Sequence, residues 1–297
     1  MTSPDIVRLV TAANAADTYT PPVTRRSPLW APIRDRIEQC IATQPRSLQT
    51  NIGPSELGTT CVHCLAAKLA AWSKPPQAAW IPFIGTCVHK QFEQLFGNWQ
   101  GCMTERRVVV GRLRGRMYAY DVAGSIDLWV PAHRMTVDWK IVGNATLQLV
   151  RRHGVSQQYA VQASLYGIGL ENEGLKVDTS AIYYLPRNGV TLTDALPVEF
   201  DFDPQPGRWA LDRAQRLTTM LDDIETELGA EARDAWIGLL PRDREHCFDC
   251  DRWADSNPFD LPQGTLYELP ERWTRLANSI ESHYQPTNKP TATKENQ

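Results

Sequence analysis

Residues 124–140 read GSIDLWVPAHRMTVDWK, two short apolar runs separated by a proline and a polar cluster. That is the pattern of two strands joined by a turn. Asp127 falls near the end of the first run, and Asp138 and Lys140 lie two apart in the second. Residues two apart on a strand share a face, so Asp138 and Lys140 project together while Val137, Trp139 and Ile141 turn to the opposite side, into a core. If the runs pair as a hairpin, Asp127 converges on Asp138. Two carboxylates at close range repel unless a cation lies between them. Hard divalent cations such as Mg²⁺ or Mn²⁺ take oxygen ligands, and a lysine beside such an ion can orient water or stabilise charge growing on a phosphate. The plainer reading of the same residues is a solvated cross-strand pair on the wet face of a hairpin.

Working outward, residues 104–130 are strand-rich and carry Arg106, Arg107, Arg112, Arg114 and Arg116, a basic run that suits a phosphate backbone or a solvated strand face equally well. Before it, residues 85–97 (GTCVHKQFEQLFG) predict a helix with Val88, Phe92, Leu95 and Phe96 as its apolar stripe. His89 and Glu93 share a face of it. After the hairpin, the segment with Arg151, Arg152 and His153 reads as a loop. Ser156 then caps a helix ending near Gly174, with Gln158, Gln162 and Tyr166 spaced by four. AIYYLPRNG reads as a buried strand with Arg187 at its exit, PVEFDFD as a further strand, and residues near 207–228 and 232–240 as helices. Near the start, Ile33, Ile37 and Ile41 stand at helical spacing. The order predicts an α/β chain with a mixed central β-sheet flanked by helices.

The chain has 297 residues, 42% hydrophobic and 22% charged, with a net charge of −3. Such a chain is no bulk polycation, so a nucleic-acid partner would need a local basic strip. No signal-peptide core or run of transmembrane length occurs, so a cytoplasmic protein with no membrane partner is expected. Of seven cysteines, four form two C-x-x-C pairs, Cys61/Cys64 and Cys247/Cys250. In a reducing compartment this pattern points to metal. Cys40, Cys87 and Cys102 read as small buried or inert thiols. Cys61 and Cys64 open an Ala/Leu-rich helix, where a helix N-terminus favours thiolate. The polar segments 1–29 and 284–297 read as loosely attached or disordered.

His89, Asp127, Asp138-x-Lys140 and Gln162-x-x-x-Tyr166, in that order, resemble the RecB-type branch of the PD-(D/E)xK nuclease superfamily. The chain is similar there to the CRISPR-associated exonucleases and their phage-encoded relatives. The motifs are G-x-x-V-H (Gly85–His89), G-S-I-D (Gly124–Asp127), D-W-K (Asp138–Lys140) and Q-x-x-x-Y (Gln162–Tyr166), and they span roughly residues 50–255. The resemblance implies a restriction-endonuclease-like fold. It implies that His89, Asp127, Asp138 and the Ile141 carbonyl bind Mg²⁺ or Mn²⁺. Lys140 then positions the attacking water, and Gln162 and Tyr166 support the site and contact DNA. Glu93, Glu105 and Arg187 are lesser candidates. It also implies a 4Fe-4S cluster on Cys61, Cys64, Cys247 and Cys250 that staples the domain's termini. The two-and-two split departs from the family's usual one-and-three, and two C-x-x-C pairs equally make a tetrahedral Zn²⁺ site. His63 and His246 read as neighbours of these ligands.

The organisation expected is an N-terminal extension over 1–49, a nuclease domain over 50–255 and a tail over 256–297. The activity expected is a metal-dependent DNA exonuclease acting at single-stranded or free ends, with recombination or replication partners. A non-catalytic DNA-binding adaptor and an endonuclease of the same fold are the alternatives.

Overall fold

The computed structural model describes residues 27–44, 51–75, 77–116, 119–253, 255 and 268–286. The expectations for residues 1–26 and 287–297 lie outside the described residues. Residues 1–40 and 41–297 form separate units. Helix α1 (Trp30–Ala42) begins in the first unit, and its Ile33 and Ile37 are exposed.

In the second unit the quoted stretch is indeed a strand pair, β2 (Ala119–Val130) and β3 (Met135–Val142), joined by a short 3₁₀ turn over Pro131–His133. With β1 (Met103–Arg114), β4 (Thr179–Pro186) and β5 (Leu196–Asp201) they make one five-stranded sheet in the order β1-β2-β3-β4-β5. All neighbours are antiparallel except β3 and β4. A parallel pair needs a crossover, supplied by helices α5 (Asn144–His153) and α6 (Gln157–Asn172). The segment of Arg151, Arg152 and His153, read as a loop, is therefore the last turn of a helix. Leu147 and Val150 bury its apolar side against Ile182 and Tyr184. The Ser156 cap is present, its hydroxyl accepting the Tyr159 N–H at 3.4 Å.

The remaining helices are α2 (Pro54–Leu57), α3 (Val62–Leu69), α4 (Trp80–Phe96), α7 (Gln205–Leu228), α8 (Ala230–Leu239) and α9 (Glu271–Ala277). Alternation along β3 divides the packing. Val137 and Trp139 meet α4 through Phe92 and Phe96, whose rings lie 5.3 and 5.5 Å from the Trp139 ring. On the main core α6, α7, α3 and α8 pack with β1 and β2. Gly167 lets α6 approach there, since a Cβ at that position would stand 2.2 Å from Phe202. Helix α4 starts five residues earlier than the sequence pattern indicated and has no fully buried residue. Leu95, expected in its stripe, is exposed because it lies off the face that carries Phe92 and Phe96. Cys87 on α4 and Cys40 on α1 are exposed for the same reason of helix face, and Cys102 is buried.

One buried cation ties distant pieces together. Arg213 on α7 is fully buried and donates to the Leu57 and Thr59 carbonyls at 2.6 and 2.8 Å. It also reaches the Glu281 and Ser282 carbonyls at 3.2 and 3.3 Å. Burial holds its pKa down at about 10. Gln157 reinforces the junction by donating to Gly58 and Ser282 and accepting from Tyr284 N–H at 2.9 Å. Arg213→Met keeps the volume and strands the Leu57, Thr59 and Glu281 carbonyls, Ser282 keeping its bond from Gln157, so urea denaturation is expected to record a loss of about 3 kcal/mol.

Candidate active site and cysteine centre

The β2–β3 ladder runs for only three pairs, ending at Leu128 opposite Val137. Continuing that register would set Asp127 opposite Asp138. Here the side chain takes over from the main chain: Asp127 Oδ2 accepts the Trp139 N–H at 2.8 Å, and its Oδ1 meets His89 Nδ1 at 3.0 Å. Burial lowers the His89 pKa, but the hydrogen bond to Asp127, that carboxylate's charge and Asp138 outweigh it, so the net shift is upward.

Asp138 is buried, and burial raises its pKa to about 6. The Lys140 charge offsets part of that rise and Asp127 adds to it. Gln162 on α6 organises the pair by donating to Asp138 Oδ1 and accepting from Lys140 Nζ, both at 3.0 Å. Its amide also donates to the Tyr166 hydroxyl at 3.1 Å. Lys140 Nζ stands 2.5 Å from Asp138 Oδ2, an ion pair outside hydrogen-bond angles, and 4.8 Å from the centre of the Tyr159 ring. Gln162 and Tyr166 are both buried.

A third acidic side chain joins from β1. Glu105 lies between Thr104, paired with Leu128, and Arg106, paired with Ile126, so its register position faces Asp127. Its φ is +46°, a left-handed setting that costs about 1–2 kcal/mol for a residue with a Cβ and that concentrates at functional sites. Ligand atoms of His89, Glu105 and Asp127 all lie within 4.8 Å of one another. An ion bonded at about 2.1 Å holds opposite ligands about 4.2 Å apart, so this group is close to metal-ready. Asp138 stands beside it, held by Lys140. Ile141 sits on β3 opposite Leu185. Glu93 and Arg187 are exposed and outside the group. The basic run is largely spent in ion pairs, Arg106 with Glu173, Arg112 with Asp121 and Arg116 with Asp223.

The two C-x-x-C pairs meet. Cys61 caps α3 and Cys64 sits in its first turn; Cys247 and Cys250 arrive from beyond α8. The sulfur separations are 3.3 Å for Cys61–Cys250, 3.5 Å for Cys64–Cys247 and 3.6 Å for Cys64–Cys250. Hydrogen bonds from Cys247 and Cys64 pull the Cys61 thiol down. Contacts with Cys247 and Cys61 push Cys64 up, and burial pushes Cys250 up to about 12. Four crowded sulfurs cannot all ionise without a cation among them. Trp253 Nε1 donates to Cys64 Sγ at 3.2 Å. His63 is fully buried and bonds Asp255 at 2.8 Å, while His246 bonds Asp243 at 3.0 Å. Neither histidine belongs to the metal-ready group.

Among the described residues, no helix is long and apolar enough to cross a membrane. No protein-family model and no curated protein matches the chain. Among solved structures, it is similar to the crystal structure of SSO0001, with 12% identity and a TM-score of 0.41 over 69% of this chain and 90% of that one. It is also similar to a phage related exonuclease from Haemophilus somnus 129PT, with 15% identity and a TM-score of 0.29 over 48% of this chain and 71% of that one.

Proposed function

We propose that the protein is a metal-dependent deoxyribonuclease of restriction-endonuclease-like fold. It acts as an exonuclease on single-stranded ends in phage or bacterial DNA recombination or repair. The observation that carries this reading is the convergence of His89, Glu105 and Asp127 beside the buried Asp138–Lys140–Gln162 unit. Oxygen donors with one imidazole suit Mn²⁺ and Mg²⁺, and the imidazole tips the preference toward Mn²⁺. His89, Glu105, Asp127 and Asp138 would hold the ion, which supplies charge neutralisation at the phosphodiester and a more acidic water. Lys140 has three N–H groups. Gln162 accepts from one and Asp138 pairs with the charge, which leaves an N–H to bond a phosphate oxygen and stabilise the charge that grows there. Gln162 fixes the lysine, and Tyr166 fixes Gln162.

The test is incubation with linear single-stranded, linear duplex and circular single-stranded DNA, with Mn²⁺, Mg²⁺ or chelator. Expected is shortening of linear single strands with metal only. Cutting of the circle would make it an endonuclease, and binding without cleavage of any substrate would make it an adaptor.

The sulfur spacing of the cysteine quartet favours one ion over a cubane. A tetrahedral ion with bonds of about 2.3 Å sets its sulfurs about 3.8 Å apart, close to the 3.3–3.6 Å separations here. A 4Fe-4S cluster places each thiolate on a separate iron at the outside of the cube, which spreads the sulfurs much farther. We assign a structural Zn²⁺. Protein purified without oxygen should be colourless with one zinc per chain; a brown protein with about four irons overturns the assignment.

A further inference from the structure

A groove of about 700 Å³ opens beside Lys140 and runs to the cysteine centre. Its inner wall holds Tyr159 and Tyr184, ring centres 6.1 Å apart. Tyr184 is the register neighbour of Lys140 across β3 and β4, and Tyr159 lies beneath the Lys140 ammonium. The Tyr184 hydroxyl is fully buried and has no hydrogen-bond partner among the described residues. Buried hydroxyls ordinarily find one, so this group is poised for something that enters. At the outer rim Phe248 is 97% exposed. It is set between Cys247 and Cys250, where a metal centre would hold it rigid.

Of the acidic residues in its walls, Glu56 pairs with Lys68 and Asp249 with Lys74 at 2.8 Å, while Asp243 accepts from the Thr60 hydroxyl and meets His246. His153 and His283 add to the polar lining. A groove this size takes a few nucleotides of single strand and no double helix. Exposed aromatics along a strand path are how proteins hold unpaired bases without regard to sequence.

We infer that this groove receives the unpaired bases of a DNA end, with Phe248 stacking a base at the rim and the Tyr184 hydroxyl bonding a nucleotide beside the scissile phosphate. The inference rests on the nuclease reading for its substrate and supplies the reason for a single-strand preference.

The test is fluorescence anisotropy of a labelled oligo(dT), in full-length protein carrying Asp138→Asn throughout to prevent cleavage. Phe248→Ala should weaken binding about ten-fold, and Phe248→Trp should restore it. Tyr184→Phe should also weaken binding while the melting temperature of the free protein holds or rises; a purely structural tyrosine would lower it instead. In the cleaving protein, Phe248→Ala should raise KM and leave kcat. Should Phe248→Ala lose its metal, Tyr184→Phe decides alone. Unchanged oligo(dT) affinity in the variants overturns the groove while cleavage by the parent keeps the nuclease. Weakened affinity in a protein that never cleaves sinks the nuclease and keeps the groove.

Discussion

Asp138→Asn is expected to abolish metal-dependent cleavage, by at least about 10³-fold in kcat, and to make the metal-free protein more stable at pH 8. The two effects share one cause. In the metal-free fold the Asp138 carboxyl titrates at about 6, above its ordinary 3.8, because it is buried, with Lys140 only partly offsetting the cost. A raised carboxyl pKa stabilises the fold below about pH 4, and that contribution is lost as pH rises through 6. At pH 8 the ionised side chain therefore weighs against folding, on the order of 2 kcal/mol. Asparagine keeps the shape and an oxygen for Lys140 but carries no charge, so it lifts that burden and forfeits the ion. The checks are denaturation at pH 4 and pH 8 with chelator present, and the cleavage assay with Mn²⁺. A variant as active as the parent removes Asp138 from the site. A variant less stable than the parent at pH 8 removes the electrostatic account.

Emptying the cysteine centre is expected to have the largest effect on stability. Cys64→Ala deletes the sulfur that touches Cys247 and Cys250 and accepts from Trp253. Structural Zn²⁺ sites contribute folding free energy directly. A loss on the order of 5 kcal/mol, or about 10–20 °C in melting temperature for a chain this long, is expected. A strong Zn²⁺ chelator should reproduce the fall in the parent and have no effect on the variant. Equal melting temperatures with and without the metal would leave the quartet as a thiol cluster with no stapling role.

The hairpin, the Gln162/Tyr166 helix and both cysteine pairs were legible because each is a short periodic or fixed-spacing pattern that local geometry enforces. The α5 helix was not. Its apolar side shows only at Leu147 and Val150, too few for a period, and Gly143 and the Arg-Arg-His run imitate a loop. Glu105 could be no more than a lesser candidate because its place depends on how β1 registers with β2 and on a left-handed backbone that no flanking residue announces. The arginine run was ambiguous for a like reason. Its partners Glu173 and Asp223 come from helices far along the chain. The metal-ready trio likewise depends on long-range pairing, and its role is testable only by the chemistry proposed above.

Two ties described above close across most of the chain's length: Cys61 and Cys64 to Cys247 and Cys250, and the Leu57 and Thr59 carbonyls to those of Glu281 and Ser282 through Arg213. Contacts of such separation raise the contact order and slow folding. During synthesis the segment around residue 60 must wait for residues 247–282 to leave the ribosome before either tie can form. Until then its thiols stand open to oxidation or to the wrong metal, and with the zinc proposed above the yield of intact protein is expected to depend on metal supply during translation.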